Sequence, residues 1–194
     1  MTVLFNPDIH QYSTEDGKTI PSVTQILSGV GLIDTTGFSE ERAEFGRHVH
    51  SECEMWDLYG TDEVEADSPL RPYLDAWKKF RLETGFTPTL IEWAGSSKYG
   101  YAGMLDRLGY THLLENILLD IKSGPVRPWH ALQLAGYQFI CQEAGHKVFE
   151  RWSIHLKNNG TYSLERHKEL SDHSNFLACV SVYHLKERMN PCKF

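Results

Sequence analysis

At 194 residues, with 41% hydrophobic and 12% aromatic content, the chain is long enough for one sizeable core with helical trimmings and short for two independent domains. Its formal net charge of -7 argues against a general polyanion binder, because sequence-independent nucleic-acid affinity comes from many Lys and Arg contacts to phosphate. The opening MTVLFNPDIHQYSTEDG lacks a basic region followed by an apolar run, and no stretch of about 18 apolar residues occurs, so a soluble, cytoplasmic protein with no membrane partner is expected.

Residues 3 to 20 alternate apolar and polar around Phe5, Ile9, Tyr12 and Ile20, with Asp16-Gly17 as turn chemistry, and read as a short hairpin. Pro21-Ser22 opens a helix to about Leu27, stopped by Gly29 and Gly31. Ser39 caps a longer helix to about Tyr59, with Glu40 and Glu41 in its first turn. After the acidic loop TDEVEADSP, Pro69 to about Glu83 reads as a helix burying Leu70, Tyr73, Leu74, Trp77 and Phe80.

Beyond Gly85 the pattern changes. PTLIEWAGSS, YAGMLDRLGY and NILLDIKS read as three strands, VRPWHALQLAGYQFICQEAG as a helix, KVFERWSIHLK and TYSLERH as two more strands, and Ser171 to about Arg188 as a last helix. The expected fold class is α/β (α+β) in one domain: residues 1–85 a hairpin and helical part, 86–170 a β-β-β-α-β core, and 171–194 a C-terminal helix.

Four short patterns carry chemistry in that layout. In Gly46-Arg-His-Val-His50, Gly46, His50 and Glu54 follow one another at single-turn spacing on one helix face, where His50 and Glu54 can face a metal or a phosphate. In Gly103-Met-Leu-Asp106 an Asp sits among apolar strand residues. In Asp120-Ile-Lys122 both charged side chains leave the same strand face about 7 Å apart. A hairpin centred on Leu113 sets Asp106 directly opposite Asp120, which is destabilising without a cation between them. Glu115-Asn116 offers better turn chemistry than His112-Leu113 and would slide the ladder by about five positions; the register that pairs the carboxylates is the one taken here. In Gln133-Leu-Ala-Gly-Tyr137, with His130 one turn before, a polar stripe shares one helix face; Trp129, Leu132, Ala135 and Phe139 make the stripe expected to pack on the sheet, with Gly136 easing that approach.

In this order, GRHVH, GMLD, DIK and QLAGY resemble the RecB-like branch of the PD-(D/E)XK nuclease superfamily, which includes phage-type exonucleases and the CRISPR adaptation nucleases. FNPDIHQYSTEDGKTIPSVTQIL is similar to the start of phage-encoded members, and the resemblance covers most of residues 1 to 145. It implies a restriction-endonuclease-like core, a central mixed β-sheet flanked by helices. It also implies Asp106 and Asp120 as metal-binding carboxylates, His50 as a metal ligand, Lys122 as the residue that orients or activates the attacking water, and Gln133 and Tyr137, with His130 beside them, as DNA-positioning residues. Glu92 fits the extra acidic residue that some phage-type members place by the metal.

Cys179 and Cys192 stand without the further cysteines an iron-sulfur cluster needs, and no C-x-x-C spacing occurs, so the cluster-free side of the family is favoured. The chemistry then calls for Mg²⁺ or Mn²⁺ on Asp106, Asp120 and the Ile121 carbonyl, with His50 admitting Mn²⁺. The expectation is a metal-dependent DNase, an exonuclease on single strands or duplex ends, working in phage-type DNA recombination, repair or processing inside a bacterial host cell, with a recombination or replication partner. The alternative is a catalytically weak DNA-binding or scaffold subunit of such an assembly.

Overall fold

Alternation over the first twenty residues produces an antiparallel meander in the computed structural model, which describes residues 3–6, 9, 11–34 and 39–189. Its strands are β1 (Val3–Asn6), β2 (Gln11–Thr14) and β3 (Thr19–Ile20), in that order. The expected hairpin is therefore three strands: Asp16-Gly17 turns β2 into β3, with Gly17 at φ +81°, and β1 pairs antiparallel with β2. Tyr12 and Ile20 are buried against Ala102 of the central sheet, and the Pro21 carbonyl accepts from the Ala102 amide. Helix α1 (Val23–Gly29) starts on a capping box in which the Ser22 hydroxyl accepts from the Gln25 amide and the Gln25 side chain accepts from the Ser22 amide.

Helix α2 (Glu40–Tyr59) is capped by the Ser39 hydroxyl and ends at Gly60, φ +67°. Helix α3 (Arg71–Thr84) starts two residues later than the sequence reading, because Ser68 accepts from the Leu70 amide and turns the chain first. Its Trp77 and Phe80 rings stack, and Phe86 packs against both at tilted and edge-on angles.

The central sheet runs β4 (Thr87–Ser97), β5 (Tyr101–Tyr110), β6 (Ile117–Lys122), β7 (Glu150–Leu156) and β8 (Tyr162–Arg166) in spatial order. All neighbours are antiparallel except β6 and β7, which are parallel and joined through α4 (His130–Glu143). That helix begins four residues later than expected: Pro128 biases Arg127 away from helical geometry. Helix α5 (Ser171–Met189) closes the described chain. This is a mixed α/β architecture, a five-stranded mixed sheet with helices on both faces, and no helix is long and apolar enough to cross a membrane among the described residues.

Two cores separate the faces. Leu105, Leu108 and Leu118 pack with Val23, Leu134, Ile140 and Phe176 on the side of α1, α4 and α5. Leu119, Ile121 and Ile154 pack with Val49, Trp77 and Phe80 on the side of α2 and α3. The β5–β6 ladder pairs Arg107 with Leu119, Leu108 with Leu118 and Gly109 with Ile117. This is the register centred on Leu113, whose next pair is Asp106 with Asp120, and the ladder stops just short of it. Leu105 and Leu108 both reach the α4-side core, so the strand's two-residue alternation slips at Asp106-Arg107.

Gly136 was expected to ease helix against sheet, but it lies between two helices. A Cβ there would stand 2.7 Å from the Phe176 ring, which is fully buried. Close helix–sheet approaches belong to Gly95 and Gly103, where a Cβ would stand 2.5 Å from Ile140 Cγ2 and 2.6 Å from the Tyr137 ring, respectively. Gly136→Ala overpacks the α4–α5 contact and is expected to cost about 1–3 kcal/mol, read as a lowered midpoint in urea unfolding; an unchanged midpoint means the helices part freely.

Candidate metal centre

His50 lies on the half-buried face of α2, and its Nε2 is 2.9 Å from the Ile121 carbonyl oxygen. A carbonyl only accepts, so Nε2 carries the hydrogen and Nδ1 is left facing two acids. It stands 3.6 Å from Asp106 Oδ2 and 3.8 Å from Glu92 Oε1. These gaps exceed a hydrogen bond but match two ligands of one ion, which stand about 3–4.2 Å apart when each is about 2.1 Å from it. Ligand atoms of His50, Glu92 and Asp106 all lie within 4.8 Å of one another. Glu54, one turn beyond His50, is outside that group. Gly46 faces Ser123, where a Cβ would make only an ordinary contact of 3.5 Å.

Asp106 leaves β5 at the end of the ladder, and its Oδ2 accepts from the Ile121 amide at 2.6 Å. The carboxylate thus takes the place of a strand carbonyl. Ile121, expected to offer its carbonyl to a metal, donates through its amide to one candidate ligand and accepts through its carbonyl from another. Burial pushes the Asp106 carboxyl above the usual range, with Glu92's charge adding to it against His50. For His50, burial pulls the imidazole down, but the charges of Asp106 and Glu92 outweigh it and raise it to about 9.

Glu92 has φ +45° in the middle of β4, a region costly for a residue with a side chain. Its carboxylate accepts from Arg107 Nη1 at 2.7 Å. Arg107 is itself fully buried; it donates through Nε to Asp57 Oδ2 of α2 at 2.8 Å, and Asp57 also receives Arg81 and the Trp77 indole N–H. Burial pushes Asp57 up despite both arginines. Sequence reasoning missed Arg107 and Asp57; the available signal was an arginine between Leu105 and Leu108 of a strand. It also missed Tyr12, whose phenol is driven up by burial and then by the charges of Glu92 and Asp106, which places β2 beside the acids.

Asp120 and Lys122 project together toward α4. Asp120 is buried, and its Oδ2 lies 2.7 Å from Lys122 Nζ with no other partner among the described residues. Burial, with Asp106's charge, raises its carboxyl to about 6 against the pull of Lys122. Lys122 donates to Gln133 Oε1 at 2.9 Å, and Gln133 Nε2 donates to the Tyr137 hydroxyl at 2.9 Å. The polar stripe of α4 is not solvated: Gln133 and Tyr137 are buried, because the sheet surface they meet is polar here, while of the stripe expected to pack on the sheet Ala135 is fully buried and Trp129, Leu132 and Phe139 only partly so. His130 is buried beside them, its imidazole driven down to about 3 by burial and the nearby Lys122.

The His50–Glu92–Asp106 group, with Asp120 and its buried, poorly satisfied oxygen beside it, fits a hard divalent cation by its donor set, carboxylate oxygens and one imidazole. Of these residues His50 borders a cleft of about 540 Å³, whose lining also includes Arg42, Lys122, Arg127 and Trp129. Cys53, Cys141 and Cys179 are free thiols; Cys192 lies outside the described residues.

The strained Glu92 backbone has a measurable signature. Glu92→Gly and Glu92→Ala lose the same carboxylate, yet the glycine variant is expected to be the more stable by roughly 1–2 kcal/mol, although glycine ordinarily weakens a strand. Equal urea midpoints for the pair would remove the strain from the account.

Compared with models of protein families and with curated proteins, the chain matches none of them.

Proposed function

We propose that this chain is a Mg²⁺- or Mn²⁺-dependent deoxyribonuclease that hydrolyses phosphodiester bonds from DNA ends. The observation that carries the reading is the convergence of the His50 imidazole and the Glu92 and Asp106 carboxylates within 4.8 Å, beside the Asp120–Lys122 pair. The sheet order, three antiparallel strands followed by a helix and a parallel strand, is compatible with the β-β-β-α-β core of the PD-(D/E)XK superfamily; the reading as its RecB-like, phage-type branch rests on the GRHVH, GMLD, DIK and QLAGY patterns. In this reading it acts in the cytoplasm of a bacterial host, in DNA recombination, repair or processing, alongside a recombination or replication protein.

His50, Glu92 and Asp106 would hold the ion, with Asp120 adjacent. A divalent cation there supplies a more acidic water and a Lewis acid for the phosphoryl oxygens. The chain's own part is positional and electrostatic. Lys122 has three N–H groups; one is committed to Gln133 and the ammonium is held against Asp120, leaving a donor for the attacking water or a non-bridging phosphate oxygen, where charge builds in the transition state. Gln133 can serve Lys122 only through its carbonyl, and its amide is fixed in that sense by donating to Tyr137. Gln133 and Tyr137 therefore act through Lys122.

The test is cleavage of end-labelled linear DNA and of circular DNA in Mg²⁺, Mn²⁺ or EDTA. Linear DNA is expected to be degraded only with metal and circular DNA to survive, and Asp106→Asn, Asp120→Asn and Lys122→Ala are each expected to lower the rate by about 10²-fold or more. Wild-type cleavage by the Asp120 variant, or no cleavage with either metal, overturns the assignment. Binding without cleavage in every metal points to the scaffold role instead.

A second measurement separates positioning from substrate contact. Gln133→Leu and Tyr137→Phe are expected to lower turnover by about 10- to 100-fold with KM for DNA unchanged; a raised KM at constant turnover would return these residues to direct DNA contact.

A further inference from the structure

The lining of the cleft differs in charge from the rest of this acidic protein. With 26 acidic against 19 basic residues, most described arginines are neutralised: Arg47, Arg71, Arg81, Arg107 and Arg151 each hold a carboxylate. Arg42 and Arg127 are exposed, both line the cleft, and neither guanidinium has an ion pair or hydrogen bond among the described residues. Lys122, itself held by Asp120 and Gln133, also lines the cleft, and Asp34 is the one carboxylate among the lining residues described. Between these cations stands Trp129, half-buried. Its ring is braced edge-on by His130, centroids 4.4 Å apart, and the Lys122 ammonium lies 5.7 Å from its centroid.

We infer that the cleft grips a single-stranded polynucleotide end, one base stacking on Trp129 and neighbouring phosphates lying on Arg42 and Arg127. This rests on the phosphodiesterase reading above and names its substrate class. The chemistry is that of a single-strand channel: guanidiniums track the backbone, and an aromatic face accepts any base because every base has a π-face. Bases inside a duplex are stacked on each other and have no free face to offer. Because Trp129 is next to Lys122, a base stacked there puts its own phosphate beside the metal-binding carboxylates. His130 holds the indole in place before the substrate arrives, which lowers the ordering cost of binding.

Binding is measured on the full chain in EDTA at low salt, so that cleavage does not intrude, by the anisotropy of labelled oligothymidylate, oligouridylate and a blunt duplex of equal length. The single strands are expected to bind roughly ten-fold or more tightly than the duplex, and the ratio between the two single-stranded arms assigns DNA or RNA. Trp129→Leu is expected to weaken single-strand binding by about 5- to 150-fold, the equivalent of about 1–3 kcal/mol per stacked base, while Trp129→Phe retains most of it. Arg42→Gln and Arg127→Gln, both at exposed positions, are each expected to flatten the salt dependence of binding by about one phosphate contact. If Trp129→Leu fails to fold, the arginine variants decide. Duplex bound as tightly as single strand, or arginine variants that bind with wild-type affinity and salt dependence, overturns the inference. Tight single-strand binding without hydrolysis in Mg²⁺ or Mn²⁺ leaves it standing and overturns the nuclease reading.

Discussion

Ile121 ties the candidate centre together through its two backbone groups. Its amide donates to the Asp106 carboxylate at 2.6 Å and its carbonyl meets His50 Nε2 at 2.9 Å. In a continued β5–β6 ladder the amide would bond a strand carbonyl. Here the strands separate after the Arg107–Leu119 pair, and a side-chain oxygen satisfies the amide that the ladder no longer serves. One residue of a buried strand thereby fixes a carboxylate from the neighbouring strand and an imidazole from a helix on the far side of the sheet. Because a carbonyl only accepts, the same contact keeps a hydrogen on Nε2 and turns Nδ1 toward the acids.

Behind this arrangement lies a second, buried layer of charge. Arg107 ties Glu92 to Asp57, and Asp57 collects Arg81 and the Trp77 indole. Burying such groups is expensive, and attraction between them offsets the loss of water only with good geometry. A core built for stability alone would place apolar side chains between α2 and β5. What the charged layer accomplishes is orientation: Glu92, at φ +45°, is held by Arg107 so that its carboxylate stands 3.8 Å from His50. Strain in the β4 backbone and burial of Arg107 are two parts of one arrangement, and both collect at the site, where strained backbone is commonly found.

Much of this was legible in the sequence where a single period governs the residue. The alternation of Leu119, Asp120, Ile121 and Lys122 gives both a buried strand and the shared face of the two charges. The spacing from Asp106 to Asp120 gives the ladder register, and the helical step from Gly46 to His50 places the histidine on its helix face. The Glu92 conformation was not legible, because no local rule predicts a positive φ for glutamate in a strand of eleven residues. Nor was the Asp57–Arg107 pair, fifty residues apart in sequence, since its partners meet only after the sheet is built. The third strand of the N-terminal meander was hidden because Asp16-Gly17 looked like the turn of a single hairpin.

The burial of the polar stripe of α4 has a more general cause. Amphipathic reasoning assumes that a helix turns its apolar stripe to the sheet, and it fails wherever the sheet surface beneath is polar. Asp120 and Lys122 share that surface with Ser153 and His155, their neighbours across the parallel pairing with β7, and all four are buried or partly buried. A helix packed there must bring hydrogen-bonding groups inward, because unsatisfied buried polar atoms are costly, and Gln133 and Tyr137 are what it brings. The stripe that resembles a substrate-contacting face is thus committed to Lys122. The cleft is reached instead by the segment just before the helix, through Arg127 and Trp129. The same Lys122 that draws Gln133 inward sits against the Trp129 ring, so the polar packing of the helix and the shape of the cleft follow from one side chain.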